Sequence, residues 1–186
     1  MRRSLIVLCV FMTALLGGCG MRPYGVDYFA TSASEPYRLG SGDRLRIIVF
    51  GQDALSNTYA VDVAGHISMP LIGIVAAAGT TTAALEKSIE AKLRGGFLRE
   101  PKVSVEVEAF RPFFILGEVT LPGQYPYVSG MTIQTAVAIA GGFTPRGYTS
   151  QADITRTIDD KAYTAPVPIT QAVQPGDTIV IRERFF

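Results

Sequence analysis

Short runs in which apolar and polar residues alternate constrain the fold of this chain more than any other feature. Residues 44–49 alternate directly after a Gly-Ser-Gly-Asp turn, and residues 103–108 repeat the pattern with valines at every second position. A period of two is typical of a β-strand with one buried face. The chain has 19 glycines and 11 prolines among its 186 residues, so turns interrupt such runs at short intervals. These features favour many short strands over a helical bundle.

Two segments show helical spacing instead. Over residues 80–94, Leu85, Ile89 and Leu93 recur at every fourth position and form one apolar stripe. The threonines at 80–82 can cap the start of this helix, and the glycine pair at 95–96 can end it. A shorter helix is predicted over 133–140. The predicted strands are 44–49, 59–63 paired with 66–69 in a hairpin, 103–108, 113–119, 124–128, 153–158 and 177–184.

A proline divides these elements into two sets. Pro112 cannot donate to a sheet ladder and follows the strand at 103–108, so a domain boundary is predicted at Arg111. Each set combines several strands with one helix, which predicts an α+β fold of two small domains. We expect a mixed sheet with one helix over 37–110, and over 111–186 a β-grasp domain, in which one helix crosses a small sheet.

The N-terminus has the pattern of a secretory signal that ends in a cysteine. Arg2 and Arg3 precede an apolar run over 4–16, which is shorter than the roughly 20 residues of a membrane span. The following LGGC at 16–19 resembles the bacterial lipobox. We predict a signal peptide over 1–18, cleavage between Gly18 and Cys19, lipidation of Cys19 and a tether over 19–36. The alternative is a plain secretory signal in which Cys19 has no role.

The residue after the cysteine bears on the membrane that holds the anchor. Gly20 is not aspartate, so the inner-membrane retention signal that the lipoprotein family commonly uses is absent. We therefore expect the protein at the outer membrane, anchored by lipid on the periplasmic side.

Composition excludes several classes of function. Residues 1–18 contain two arginines and no acidic residue, so their removal changes the formal net charge from +1 to −1, and no electrostatic footprint for nucleic acid remains. Cys9 lies in the predicted signal, which leaves Cys19 as the sole cysteine and excludes a disulfide framework. The only histidine, His66, is predicted to be a polar turn residue. No metal site and no cofactor are expected.

Catalysis is not expected either. Glu106 with Glu108, or Asp159 with Asp160, could supply a pair of carboxylates, but a glycosidase needs its two carboxylates to converge across a cleft. Glu106 and Glu108 share one strand face and fit a solvated surface better. The Gly40-x-Gly42 turn precedes a strand, not a helix, which disfavours a phosphate-binding loop.

Seven segments occur in the order typical of one known family. They are YRLGSGDRL at 37–45, PLIG at 70–73, PKVSV at 101–105, FILGEV at 114–119, PGQY at 122–125, AIAGGF at 138–143 and PGDTI at 175–179. The first half resembles the polysaccharide export domain of outer-membrane polysaccharide exporters. The second half resembles the soluble-ligand-binding β-grasp domain of the same proteins.

This resemblance implies a function and a set of partners. Family members are lipoproteins that form ring-shaped homo-oligomers around a periplasmic channel and pass capsular polysaccharide or exopolysaccharide outward. They dock on an inner-membrane co-polymerase of the chain-length-determinant type. Long members end in a helix that spans the outer membrane, whereas this sequence ends at Phe186, soon after its last predicted strand. We therefore expect a short form that works with a separate outer-membrane pore. The alternative is a monomeric lipoprotein that binds glycan or peptidoglycan.

Overall fold

The computed structural model describes residues 36–158 and 161–184. The predicted signal peptide, the cleavage site at Gly18 and Cys19, the lipidation of Cys19 and nearly all of the predicted tether lie outside the described residues. Asp159 and Asp160 lie outside them too. In the described part of the chain, no helix is both long enough and apolar enough to cross a membrane.

The first domain combines short strands with one helix and a 3-10 turn at Asp53–Leu55. Its elements are β1 (Arg44–Val49), β2 (Asn57–Ala60), β3 (His66–Met69), β4 (Gly73–Ala76), α1 (Thr82–Arg94) and β5 (Val103–Ala109). Three strands form one sheet in the order β2-β1-β5, and β3 pairs with β4 in a separate hairpin.

All strand pairs of this domain are antiparallel, although a mixed sheet was expected here. The reason is the path of the chain after α1. It returns beside the end of β1, where Val49 lies opposite Val103, so β5 runs back along β1. The amide of Phe50 donates to the carbonyl of Lys102 and fixes this return at 3.0 Å.

The predicted hairpin between residues 59–63 and 66–69 is wrong. The strand that contains Tyr59 pairs with β1 instead, and β3 pairs with β4. Val61 donates from its amide to the carbonyl of Asp43, which ends the strand beside β1. Val63, the last residue of the predicted strand 59–63, is 99% exposed because β2 ends at Ala60 and the chain has left the sheet before it.

The first core lies between α1 and the inner faces of the strands. Thr81 caps the helix by accepting from the amide of Ala84 at 3.2 Å. Leu85, Ile89 and Leu93 are fully buried, as the stripe predicts. They belong to one apolar cluster with the inward-facing residues of β1 and β5.

The second domain contains the mixed sheet. Its elements are β6 (Phe113–Gly117), β7 (Gly123–Tyr125), α2 (Ile133–Ile139), β8 (Gln151–Ile158), β9 (Lys161–Pro168) and β10 (Thr178–Ile181). The strand order is β7-β6-β10-β8-β9, and β10 is parallel to β6 but antiparallel to β8. Ile133, Ala136 and Val137 of α2 join the inward-facing residues of this sheet in a second core. The α+β fold of two domains is therefore confirmed.

One strand of the second domain was not predicted. β9 carries Pro166 and Pro168, which a sequence pattern penalises in a strand. Both prolines are tolerated because β9 is the edge of the sheet and pairs only with β8. Between them Val167 still packs into the core.

Candidate functional site

The outer face of the first sheet, opposite α1, carries charges of both signs. Arg44 Nε lies 3.7 Å from Glu108 Oε2, and Arg46 stands opposite Glu106 on the neighbouring strand. Both glutamates are exposed beside these arginines on an open surface. They therefore do not face each other across a cleft, which agrees with the prediction of a solvated face.

The outer face of the second sheet is apolar at its centre. Phe114 and Leu116 point away from the core and remain 40% and 45% exposed. Val180 lies beside Leu116 on the neighbouring strand β10 and is half-buried. Asp153 on β8 is neutralised by Arg182. Phe114 and Leu116 therefore form a candidate contact surface on this face of the sheet.

One edge strand of each sheet is shielded, β5 in the first sheet and β9 in the second. Glu90 Oε1 accepts from the amide of Val103 at 3.1 Å, and Glu86 Oε1 accepts from Val105 at 2.9 Å, so α1 shields the amides along the edge of β5. On β9, Pro166 and Pro168 have no amide hydrogen to offer. Blocked edges disfavour association by strand addition.

Two buried aspartates lie near the junction between the domains. Asp43 is fully buried, and its Oδ2 accepts from the amide of Gly40 at 2.8 Å and from the hydroxyl of Tyr37 at 2.7 Å. Burial, with a further contribution from Asp43, raises the pKa of Tyr37 far above its ordinary value. Tyr37 therefore stays a hydrogen-bond donor at physiological pH.

The second aspartate, Asp177, forms a buried ion pair in the second domain. Arg156 donates from Nε to Asp177 Oδ1 at 2.9 Å and from Nη2 to Oδ2 at 2.7 Å. The amide of Gln174 donates to the same Oδ2 at 2.6 Å. Burial raises the pKa of Asp177, while the hydrogen bonds from Arg156 act in the opposite direction.

Aromatic rings also connect the two domains. The rings of Tyr37 and Phe110 meet edge to face with centroids 5.0 Å apart, and Phe110 meets Tyr127 in the same way at 5.3 Å. Tyr127 belongs to the second domain and packs at the border of its core. The junction is therefore built from aromatic contacts and hydrogen-bonded carboxylates.

Among the predicted residues, His66 was expected to be a turn residue, but it is the first residue of β3, directly after the turn that ends at Gly65. Its amide donates to Asp62 Oδ1 at 2.8 Å, and its Nδ1 is 4.0 Å from the same oxygen. The Gly40-x-Gly42 turn holds a carboxylate of the protein itself, because the amide of Gly40 binds Asp43. In the described ranges, no three His, Cys, Asp or Glu side chains are placed to hold a metal ion.

Sequence reasoning missed the residues of the junction. Asp43 enters the sequence argument only as the last residue of the Gly-Ser-Gly-Asp turn, Asp177 only as part of the PGDTI segment, and Arg111 only as the position of the boundary. Both segments contain a similar Gly-Asp turn before a strand. The similarity of those turns was the available signal. Across the described residues, every buried side-chain nitrogen and oxygen has a hydrogen-bond partner. The junction is thus suited to positioning the domains.

Comparison with known proteins finds a match to a domain family in each half of the chain. Residues 31–108 match the model described as polysaccharide biosynthesis/export protein. Residues 112–164 match the SLBB domain model. The central strand β10 of the second sheet lies beyond this second match.

Three relatives illustrate the similarity. The exopolysaccharide production protein ExoF of Rhizobium meliloti (strain 1021) is 36% identical over 121 residues, which cover 59% of this chain and 29% of ExoF. The EPS I polysaccharide export outer membrane protein EpsA of Ralstonia nicotianae is 27% identical over 174 residues, covering 79% of this chain and 45% of EpsA. The polysialic acid transport protein KpsD of Escherichia coli is 25% identical over 139 residues, covering 73% of this chain and 25% of KpsD.

The alignments span about a quarter to a half of the length of these relatives. These relatives are described as production, export and transport proteins. Two domain matches in the predicted order, on a fold of two α+β domains, identify the chain as a member of the polysaccharide export protein family.

Proposed function

We propose that this protein is a lipid-anchored periplasmic component of a polysaccharide export channel at the outer membrane, ring-forming and non-catalytic. The observation that carries the proposal is the succession of the polysaccharide biosynthesis/export match and the SLBB match along one chain. The description of EpsA as an export outer membrane protein supports the location. The substrate in this proposal is a capsular polysaccharide or an exopolysaccharide.

The proposed mechanism is geometric. Copies pack side by side around a hydrated passage, and the polysaccharide slides along polar surface without being cleaved. The outer face of the first sheet, with Arg44, Arg46 and Glu106, is the kind of surface that stays hydrated beside a glycan. The apolar face around Phe114 and Leu116 suits contact with a neighbouring protein surface.

Anchoring and docking complete the proposal. The lipid on Cys19 holds the chain at the outer membrane, and an inner-membrane co-polymerase of the chain-length-determinant type delivers the polysaccharide. Docking on the co-polymerase is proposed from the family resemblance, and the lipid anchor is proposed from the same resemblance and from the LGGC motif at 16–19.

The alternative is a monomeric lipoprotein that binds glycan or peptidoglycan. Size separates the two functions: a ring-former runs as a large assembly on a sizing column in mild detergent and appears as rings by electron microscopy. A protein that elutes as a monomer at all tested concentrations supports the alternative.

The export role is tested by deleting the gene and measuring surface polysaccharide. We expect its loss, with recovery on expression of the wild-type chain. Normal surface polysaccharide in the deletion strain contradicts the proposal.

The anchor is tested with Cys19→Ser, which should remove the protein from the membrane fraction and abolish most export. Cys9→Ser is the matched control, because Cys9 lies in the predicted signal and should have no role in the mature protein. Membrane association of Cys19→Ser in detergent-free lysate contradicts the lipidation.

A further inference from the structure

One arginine in the short connection between the domains bonds to both of them. The amide of Arg111 donates to Asp43 Oδ1 at 2.9 Å, and its Nη1 donates to the hydroxyl of Tyr37 at 3.2 Å. Its Nη1 also lies 3.6 Å from Asp43 Oδ2. On the other side, Nε donates to the carbonyl of Pro175 in the second domain at 3.0 Å. One planar guanidinium thus serves both domains with fixed geometry.

Glycines from both domains make room for this side chain. A Cβ atom at Gly40 would lie 1.7 Å from Arg111 Nη1, and a Cβ atom at Gly176 would lie 2.8 Å from Arg111 Nε. The first distance is far below any real contact, so any other residue at Gly40 must displace the guanidinium. The backbones of both domains therefore approach Arg111 more closely than a residue with a side chain would allow.

The two turns that flank Arg111 have the same construction. Asp43 accepts from the amide of Gly40, three residues earlier, and Asp177 accepts from the amide of Gln174, also three residues earlier. The first turn leads into β1, the middle strand of the first sheet, and the second leads into β10, the middle strand of the second sheet. Arg111 consequently joins the starting points of the two central strands.

We propose that Arg111 is the positioning residue that fixes the orientation of one domain relative to the other. Neither apolar core includes Arg111, and Asp177 keeps its own partner Arg156. Asp43 loses its ion pair but keeps the hydrogen bonds from the Tyr37 hydroxyl and from the amides of Gly40 and Arg111, so both domains can fold without the Arg111 side chain. The rings of Tyr37, Phe110 and Tyr127 keep the domains in contact, but edge-to-face ring contacts constrain direction less than a forked guanidinium does.

The consequence for assembly rests on the proposed function. A closed ring requires every copy to present its two contact surfaces at one fixed angle, because only one rotation closes the ring. A loose junction broadens the distribution of that angle among the copies. Arg111 then acts on export through the shape of each copy, without touching the polysaccharide.

The test is Arg111→Ala in the full chain, purified in detergent and compared with Arg46→Ala, an exposed arginine of β1. Hydrogen exchange should become roughly tenfold faster or more around residues 37–43, 110–114 and 174–177, as the loss of charged hydrogen bonds implies. Exchange in α1 and α2 should stay unchanged. Small-angle scattering should show a broader distribution of shapes. Arg46→Ala should match the wild type in junction exchange, in exchange of α1 and α2, and in small-angle scattering.

Gly40→Ala provides an independent test, because the Gly40 backbone does not need glycine and the three atoms nearest to the new methyl group all belong to the Arg111 guanidinium. It should loosen the same segments in the wild-type background and have little further effect in Arg111→Ala. Unchanged exchange at the junction in Arg111→Ala, or equal acceleration in α1 and α2, overturns the assignment. Normal surface polysaccharide with a loosened junction overturns only the link to export, whereas normal export in the deletion strain overturns the proposed function itself.

Discussion

Removal of Arg156 should strongly destabilise the second domain. Arg156 and Asp177 are 4% and 1% exposed, and two hydrogen bonds connect them in a bidentate pair. Arg156→Met keeps much of the volume and removes the charge. Asp177 then remains buried with the amide of Gln174 but without its hydrogen-bonded cation.

The expected cost follows from this burial. Breaking a buried pair by removing one partner costs about 3–5 kcal/mol, since the remaining charge is desolvated without compensation. In Arg156→Met the loss of the cation raises the pKa of Asp177 further above its already raised value. A raised carboxyl pKa in the folded state means that stability is fully present at acid pH and is lost as the pH rises through that pKa. The defect should therefore shrink as the pH falls from about 7 toward about 4.

Urea unfolding followed by circular dichroism measures this effect at several pH values, with hydrogen exchange assigning the change to the second domain. The double variant Arg156→Met with Asp177→Asn is the matched control. It removes both charges and keeps an amide oxygen for Gln174, so it should regain much of the lost stability at neutral pH. A single variant as stable as the wild type, or a double variant no better than the single one, would refute the reasoning.

Three further changes test other parts of the fold. Ile89→Ala removes a fully buried side chain of α1 and should lower the free energy of unfolding by about 2–5 kcal/mol in urea titrations. Gly117→Ala places a Cβ 2.2 Å from a backbone carbonyl oxygen and should destabilise the second domain far more than Gly142→Ala, which has open space at a similar positive φ. Thermal unfolding measures the loss of stability in both variants, and equal losses would contradict the close approach at Gly117. Replacing Glu86 and Glu90 by alanine uncovers the amides along β5 and should increase aggregation measured by light scattering; unchanged scattering would show that these carboxylates do not guard the edge.

Elements defined by local patterns could be predicted from the sequence. The alternation at 44–49 and the stripe through Leu85, Ile89 and Leu93 each encode their own buried face, because side-chain direction depends only on the local backbone period. The caps at Thr81 and Thr132 are local too, since each hydroxyl accepts from an amide three residues ahead.

Pairing between strands could not be predicted to the same extent. The alternating pattern around Tyr59 is as compatible with a hairpin partner as with β1. In the structure this segment pairs with the open edge of β1, and the hydrogen bond from the Val61 amide to the Asp43 carbonyl holds it there. β9 was missed because its prolines are acceptable only at a sheet edge, and the position of an edge is a property of the whole sheet.

The sequence alone determined the α+β class, the two domains in their order and the family, because these depend on periodicity and on motifs that are continuous in the chain. The tertiary structure alone decided what the two Gly-Asp turns do. They lie more than a hundred residues apart, and only the fold brings Asp43 and Pro175 to the two sides of Arg111. A residue that joins two domains depends on contacts distant in sequence, and no local pattern in the chain can encode them.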